Sequence, residues 1–143
     1  MAQVKANKFS APRKQGVNGD AVFINDTLSV TTNPAIGDTL DFIIPKGTEI
    51  SMINVYHTAL AASGLAGSIG YAPVDTTSTL SAVTNYFRAT ATFGLSATGF
   101  TPAFIPIVFE EDVYLRFTIT ATGVSFVAGT LYLTIGANQN GVR

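Results

Sequence analysis

The side chains of this chain that could do acid–base, nucleophilic or metal chemistry are few. There is one histidine, His57, no cysteine, and one run of adjacent acids, Glu110, Glu111 and Asp112. A general base needs a nucleophile or an orienting carboxylate beside it, and the residues around His57 supply no recognisable partner set. One histidine without cysteine also falls short of an ordinary zinc site, so His57 reads as a strand histidine with its ring packed. The acidic run could serve a hard cation, but calcium loops space their carboxylates and add carbonyl ligands. Glu110, Glu111 and Asp112 therefore read either as a solvated turn or as an acidic receptor patch for a basic segment of a neighbour or partner. Lys46-Gly47-Thr48 has the look of part of a phosphate loop, but the upstream glycines and the following helix are missing. No catalytic set, cofactor motif or metal site emerges, and the chain reads as a non-enzyme.

The strongest charge feature is at the start. Lys5, Lys8, Arg13 and Lys14 are four of the eight Lys and Arg residues, and no acid precedes Asp20. From residue 15 onward four bases face nine acids, so a +4 arm is joined to a −5 body. Residues 1–19 show no apolar periodicity and read as an extended arm, with Val4, Phe9 and Pro12 as apolar anchors between the cations. The arm fits three roles: docking on acidic protein surface, weak salt-sensitive contact with phosphates, or a solubilising tail. Four cations and one aromatic make a specific nucleic-acid site a poor fit.

These residues have to be positioned by the elements between them. From residue 21 onward, short β-branched and aromatic runs alternate with Gly, Pro, Asn and Asp, the pattern of antiparallel strands. Strands are predicted over residues 21–32 (bent near Asn25 and Asp26), 38–44, 48–58, 68–74, 85–93, 103–109, 113–122 and 130–137. Residues 59–67 hold the only helix-forming composition, but two glycines make them a loop. In residues 48–58 simple alternation puts Ile50, Met52, Asn54 and Tyr56 on one face and Ser51, Ile53, Val55 and His57 on the other. In residues 113–122 it turns Val113, Leu115, Phe117 and Ile119 inward. Eight such strands without a helix bury their apolar faces as a two-sheet sandwich, with a jelly roll the favoured topology. The organisation is thus an arm (1–19), a β-sandwich (20–137) and a polar tail (138–143).

Composition adds a constraint on the surroundings. Charged residues are 12% of the chain and apolar ones 47%, against roughly 25% charged in an ordinary soluble domain. A small protein has much surface to cover, so so little charge implies Thr/Ser-rich faces or neighbours that hide them. No apolar run approaches the roughly 20 residues that span a bilayer, and no signal-like segment follows the N-terminal cations.

Several stretches of the body together carry a resemblance. They are Ile44-Pro45-Lys46-Gly47-Thr48 entering a long strand, Gly70-Tyr71, the run Asp112-Val113-Tyr114-Leu115-Arg116-Phe117-Thr118-Ile119-Thr120, Gly123, and Ala128-Gly129-Thr130-Leu131-Tyr132-Leu133. Over residues 38–137 the chain resembles the small all-β decoration or cement proteins on the heads of tailed bacteriophages. That resemblance implies a jelly-roll-like protein, a homodimer or homotrimer, bound to the outside of an icosahedral shell. It would clamp adjacent copies of the major capsid protein, with the arm crossing a capsomer boundary. It further implies synthesis in the host cytoplasm and no membrane or specific nucleic-acid partner. Two alternatives stand beside it: a carbohydrate-binding sandwich using Tyr56, Tyr86 or Tyr114 as sugar platforms, and a head or tail fibre subunit.

Overall fold

The computed structural model describes residues 3–5 and 21–139. Among them ten strands form: β1 (Gln3–Lys5), β2 (Ala21–Val30), β3 (Thr39–Ile44), β4 (Thr48–His57), β5 (Ala66–Pro73), β6 (Val83–Thr92), β7 (Thr98–Phe100), β8 (Ile107–Val108), β9 (Val113–Ala121) and β10 (Gly129–Gln139). One sheet has the order β1-β3-β9-β5-β6, the other β2-β10-β4-β7, with β8 also paired to β4. All pairings are antiparallel except β1 on β3, which is parallel. The pairs β2·β10, β3·β9, β4·β7 and β5·β6 are nested one inside the next, so the chain is a long ribbon rolled across two sheets. That nesting is a jelly roll.

The core is what the alternation dictates. β9 buries Val113, Leu115, Phe117 and Ile119, and β10 buries Leu131, Leu133 and Ile135. Leu40, Phe42 and Ile44 of β3 extend the β9 side of the core, and Ile53 and Val55 of β4 with Leu28 and Val30 of β2 extend the β10 side that faces it. Phe42 and Phe117 meet with ring centroids 6.0 Å apart. No helix forms among the described residues, and residues 59–65 are loop.

The strands depart from the expected pattern in several places. In β4 both Ile50 and Ile53 are buried while Met52 is exposed. Gly136 pairs with Met52 but Ala137 pairs with Ile50, so Ser51 is an extra residue, a β-bulge that shifts the phase by one. Its hydroxyl donates to the Gly136 carbonyl at 3.2 Å. In the predicted strand over 103–109 only Ile107–Val108 pairs, while Thr98–Phe100, expected as loop, is a strand. Pro102 and Pro106 remove ladder donors between them. β2 runs straight past Asn25 and Asp26, in unbroken register with β10 from Val30 to Ala21. Finally, Gln3–Lys5 is a strand within what composition presents as an irregular arm, and β10 extends to Gln139, beyond the expected boundary at 137.

Candidate functional site

Of the expected arm, residues 3–5 are described, and they are held on the body as β1. β1 lies along β3 in the register Gln3↔Thr39, Val4↔Leu40, Lys5↔Asp41. Asp41 and Arg116 are cross-strand partners in the β3–β9 ladder. Arg116 grips the carboxylate in two-pronged fashion, Nε to Oδ1 at 2.8 Å and Nη2 to Oδ2 at 2.9 Å. The Gln3 side-chain amide donates to the same Oδ2 at 2.5 Å. Asp41 is fully buried, so its charge is tolerable only because these donors replace water. The carboxylate in turn holds the Arg116 guanidinium above its usual value, against the opposing effect of burial. The sequence showed neither residue as special, because the strand register that makes them partners is set by tertiary pairing. Of the other arm residues named from the sequence, Lys8, Phe9, Arg13 and Lys14 lie outside the described residues.

The acidic run forms the turn between β8 and β9, and its three members do different things. Asp112 accepts from the Lys46 backbone N–H at 2.9 Å through Oδ1, and its carbonyl accepts from Val74 N–H. Glu111 accepts a hydrogen bond from the Ser78 hydroxyl. Ser78 sits in a tight loop where the Asp75 carboxylate accepts from both the N–H and hydroxyl of Thr77, which lowers the Asp75 pKa. Two of the three acids thus pin neighbouring loops to the turn, while Glu110 is exposed. Beside the turn runs an open groove of about 480 Å³, floored by Tyr71, Leu80, Ile107 and Phe109 and rimmed by Glu110 and Glu111. The Tyr71 and Phe109 rings meet edge-on, 4.8 Å apart, so the floor is firmly packed.

His57 is a buried structural residue. Its Nε2 accepts from the Gly94 backbone N–H at 3.3 Å, and Nδ1 lies 3.2 Å from the Thr58 carbonyl. Those two contacts assign the proton to Nδ1. The ring packs against Phe93 and Phe100, and desolvation lowers its pKa. Gly94, at a φ of 71° that suits glycine, also accepts from the backbone N–H groups of Leu60 and Ala61. His57 therefore fastens the β6–β7 connection to the loop after β4. Among the described residues no group of His, Asp and Glu could hold a metal ion.

A feature that charge-based reading passed over is the outer face of the second sheet. Cross-strand rows there read Phe23–Gly136–Met52, Asn25–Thr134–Asn54 and Thr27–Tyr132–Tyr56. None of these is charged. Phe23 is 67% exposed, Tyr56 48%, Tyr132 45% and Met52 38%, and the two tyrosine rings lie 6.1 Å apart. The period-2 pattern could have revealed the face only with the β4 bulge and the strand order known. The other tyrosines considered as platforms are engaged elsewhere. Tyr86 donates its hydroxyl to the Ile105 carbonyl and packs on Tyr71 and Phe87, and Tyr114 lies under Arg116.

No protein-family model matches the chain, and no curated protein matches it. Solved structures do. A chain in the capsid of Ralstonia phage GP4 superimposes with a TM-score of 0.77 at 16% identity, covering 99% of this chain and 100% of that one. A chain in the capsid asymmetric unit of cyanophage Pam1 gives 0.67 at 12% identity, covering 90% and 91%. The jelly roll described above is thus a fold found, nearly end to end, in chains of two phage capsids.

Proposed function

We propose that this chain is a structural virion protein, a decoration or cement subunit on the outside of an icosahedral phage head. The observation that carries the reading is the full-length likeness to a chain within a phage capsid, spanning both chains from end to end. Two properties of the molecule support it. The uncharged rows that turn Phe23, Met52, Tyr56 and Tyr132 outward suit a surface covered in an assembly. The +4 arm, which begins at β1 on the body, suits a clasp for acidic surface, on the major capsid protein or on a neighbouring copy. The work is adhesive rather than catalytic: many modest contacts act together because each raises the effective concentration of the next. The subunit would be made in the host cytoplasm and act as a homodimer or homotrimer, bridging adjacent capsid subunits.

The test is co-sedimentation of the purified chain with expanded heads of its phage that lack the subunit. The full chain should bind, and a chain carrying Lys8→Glu, Arg13→Glu and Lys14→Glu, which keeps β1 on β3, should bind at least tenfold more weakly. Equal binding by that variant would remove the arm from the account. A second reading is favoured by the exposed Tyr56–Tyr132 pair, which could stack on a sugar. A chain that ignores heads, binds a glycan array and loses that binding in Tyr132→Ala would establish it instead.

A further inference from the structure

The groove beside the acidic turn joins an apolar floor to an acidic rim. Its floor is apolar and partly aromatic, with Tyr71, Leu80, Ile107 and Phe109, and its rim carries the Glu110 and Glu111 carboxylates. A fitting occupant presents cations on either side of an apolar anchor. The body's own arginines are committed elsewhere: Arg116 to Asp41, and Arg88 to the face of Phe100 with its guanidinium carbon 3.9 Å from the ring centroid. One segment of the sequence has the required pattern, residues 8–14, in which Lys8-Phe9 and Pro12-Arg13-Lys14 alternate charge with apolar surface.

We infer that this groove seats residues 8–14 of a second copy of the chain, so that copies link head to tail through arm and groove. The placement of β1 favours a neighbour over the same chain. β1 lies at the far edge of the first sheet, and β5, which supplies Tyr71, is three strands away. At the usual strand spacing that is roughly 14 Å sideways, more than the about 10 Å that the three residues from Lys5 to Lys8 span when fully extended, so Lys8 of the same chain falls short of Tyr71. An arm from an adjacent copy has no such limit, and a heterologous contact of this kind closes into rings or continues as a string. The inference rests on the multi-copy assembly proposed above and adds which surfaces the copies use on one another.

The absence of cysteine from the sequence makes the contact directly mappable. One full-length preparation carries Ala11→Cys, and a second carries Val108→Cys on the groove wall. A third carries Thr90→Cys as a control, placed toward the opposite end of β6. Mixed with a short bis-maleimide linker, the first two should give a crosslinked pair at least fivefold in excess of the first with the control. The yield should fall at least fivefold in 0.5 M salt or with Glu110→Lys in the groove copy. It should return when Lys8→Glu and Arg13→Glu are added to the arm copy. Glu110 is chosen because it is exposed and, unlike Glu111, holds no loop. A yield equal to the control would overturn the inference. So would crosslinks confined to single chains when both cysteines are placed in one copy and isotopically labelled and unlabelled protein are mixed. Head binding is measured separately on the wild-type chain. Crosslinking without head binding keeps the arm-to-groove contact and removes the virion reading, and head binding without crosslinking does the reverse.

Discussion

Arg116 stands directly opposite Asp41 across the β3–β9 ladder and closes both carboxylate oxygens in a fork of 2.8 and 2.9 Å. The pair does more than satisfy itself. It presents an oxygen to the Gln3 side chain, so the docking of β1 is tied to a buried charge in the body. The surface strand and the buried ion pair are one construction. A paired buried charge is stable only while complete, because each partner is costly alone.

Arg116→Met should accordingly cost about 3 kcal/mol or more, since it leaves Asp41 buried without its cation. The double change Asp41→Leu with Arg116→Met should recover most of that loss. Urea unfolding midpoints of the three proteins decide the matter. A double variant no better than the single would mean the cost lies in packing and not in charge.

Gly70 tests how closely the chain crosses itself. A Cβ built there would sit 1.8 Å from the Val83 carbonyl oxygen and 2.6 Å from the Thr84 backbone. The start of β6 would have to move, so Gly70→Ala should destabilise by more than about 2 kcal/mol. Hydrogen exchange should show the loss of protection concentrated at residues 83–84 and at Tyr71, its register partner.

His57 predicts a pH dependence. Burial lowers its pKa below the ordinary value of 6.5, and protonation would turn Nε2 from an acceptor into a donor facing the Gly94 N–H. The unfolded chain binds this proton more readily than the folded one. The contribution is therefore complete above pH 6.5 and is lost as pH falls through 6.5 toward the lowered folded value. Unfolding midpoints at pH 7.5 and 5.5 should differ in the wild type, and by less in His57→Gln. Equal slopes in the two proteins would show that His57 does not titrate on unfolding.

The acidic turn should separate into two roles. Glu111→Ala removes the acceptor for Ser78 and should cost about 1 kcal/mol, with raised hydrogen exchange in residues 75–80. Glu110→Ala should leave stability within about 0.5 kcal/mol, as expected for an exposed side chain. If both variants unfolded alike, the division of labour drawn from their hydrogen bonds would be wrong.

Much of the fold is legible in residue order because strand alternation is local physics. The run from Val113 to Ile119 announces its buried face, and so does Leu131, Leu133, Ile135. Turn residues such as Gly37 and Gly47, both at positive φ, mark where strands end. Alternation fails at Ser51, since a bulge is decided by how β4 must fit β10 around Gly136 and Ala137, which no single strand encodes. It fails again around Pro102 and Pro106, where missing donors leave pairing to whichever short pieces reach β4.

The sequence by itself determined the class of the fold: an all-β body short of charge, with four of the eight Lys and Arg residues gathered in the first fourteen positions. Those follow from composition and period, which survive without three-dimensional information. Tertiary structure alone decided the rest. Register made Asp41 and Arg116 a buried pair and gave β1 a seat. Strand order assembled Phe23, Met52, Tyr56 and Tyr132 into neighbouring uncharged rows of one face. The meeting of the β8–β9 turn with the loop around Ser78 split the acidic run, leaving Glu110 at the rim of a groove. Each is a contact between residues far apart in the chain, and long-range pairing is set by the joint packing of all strands.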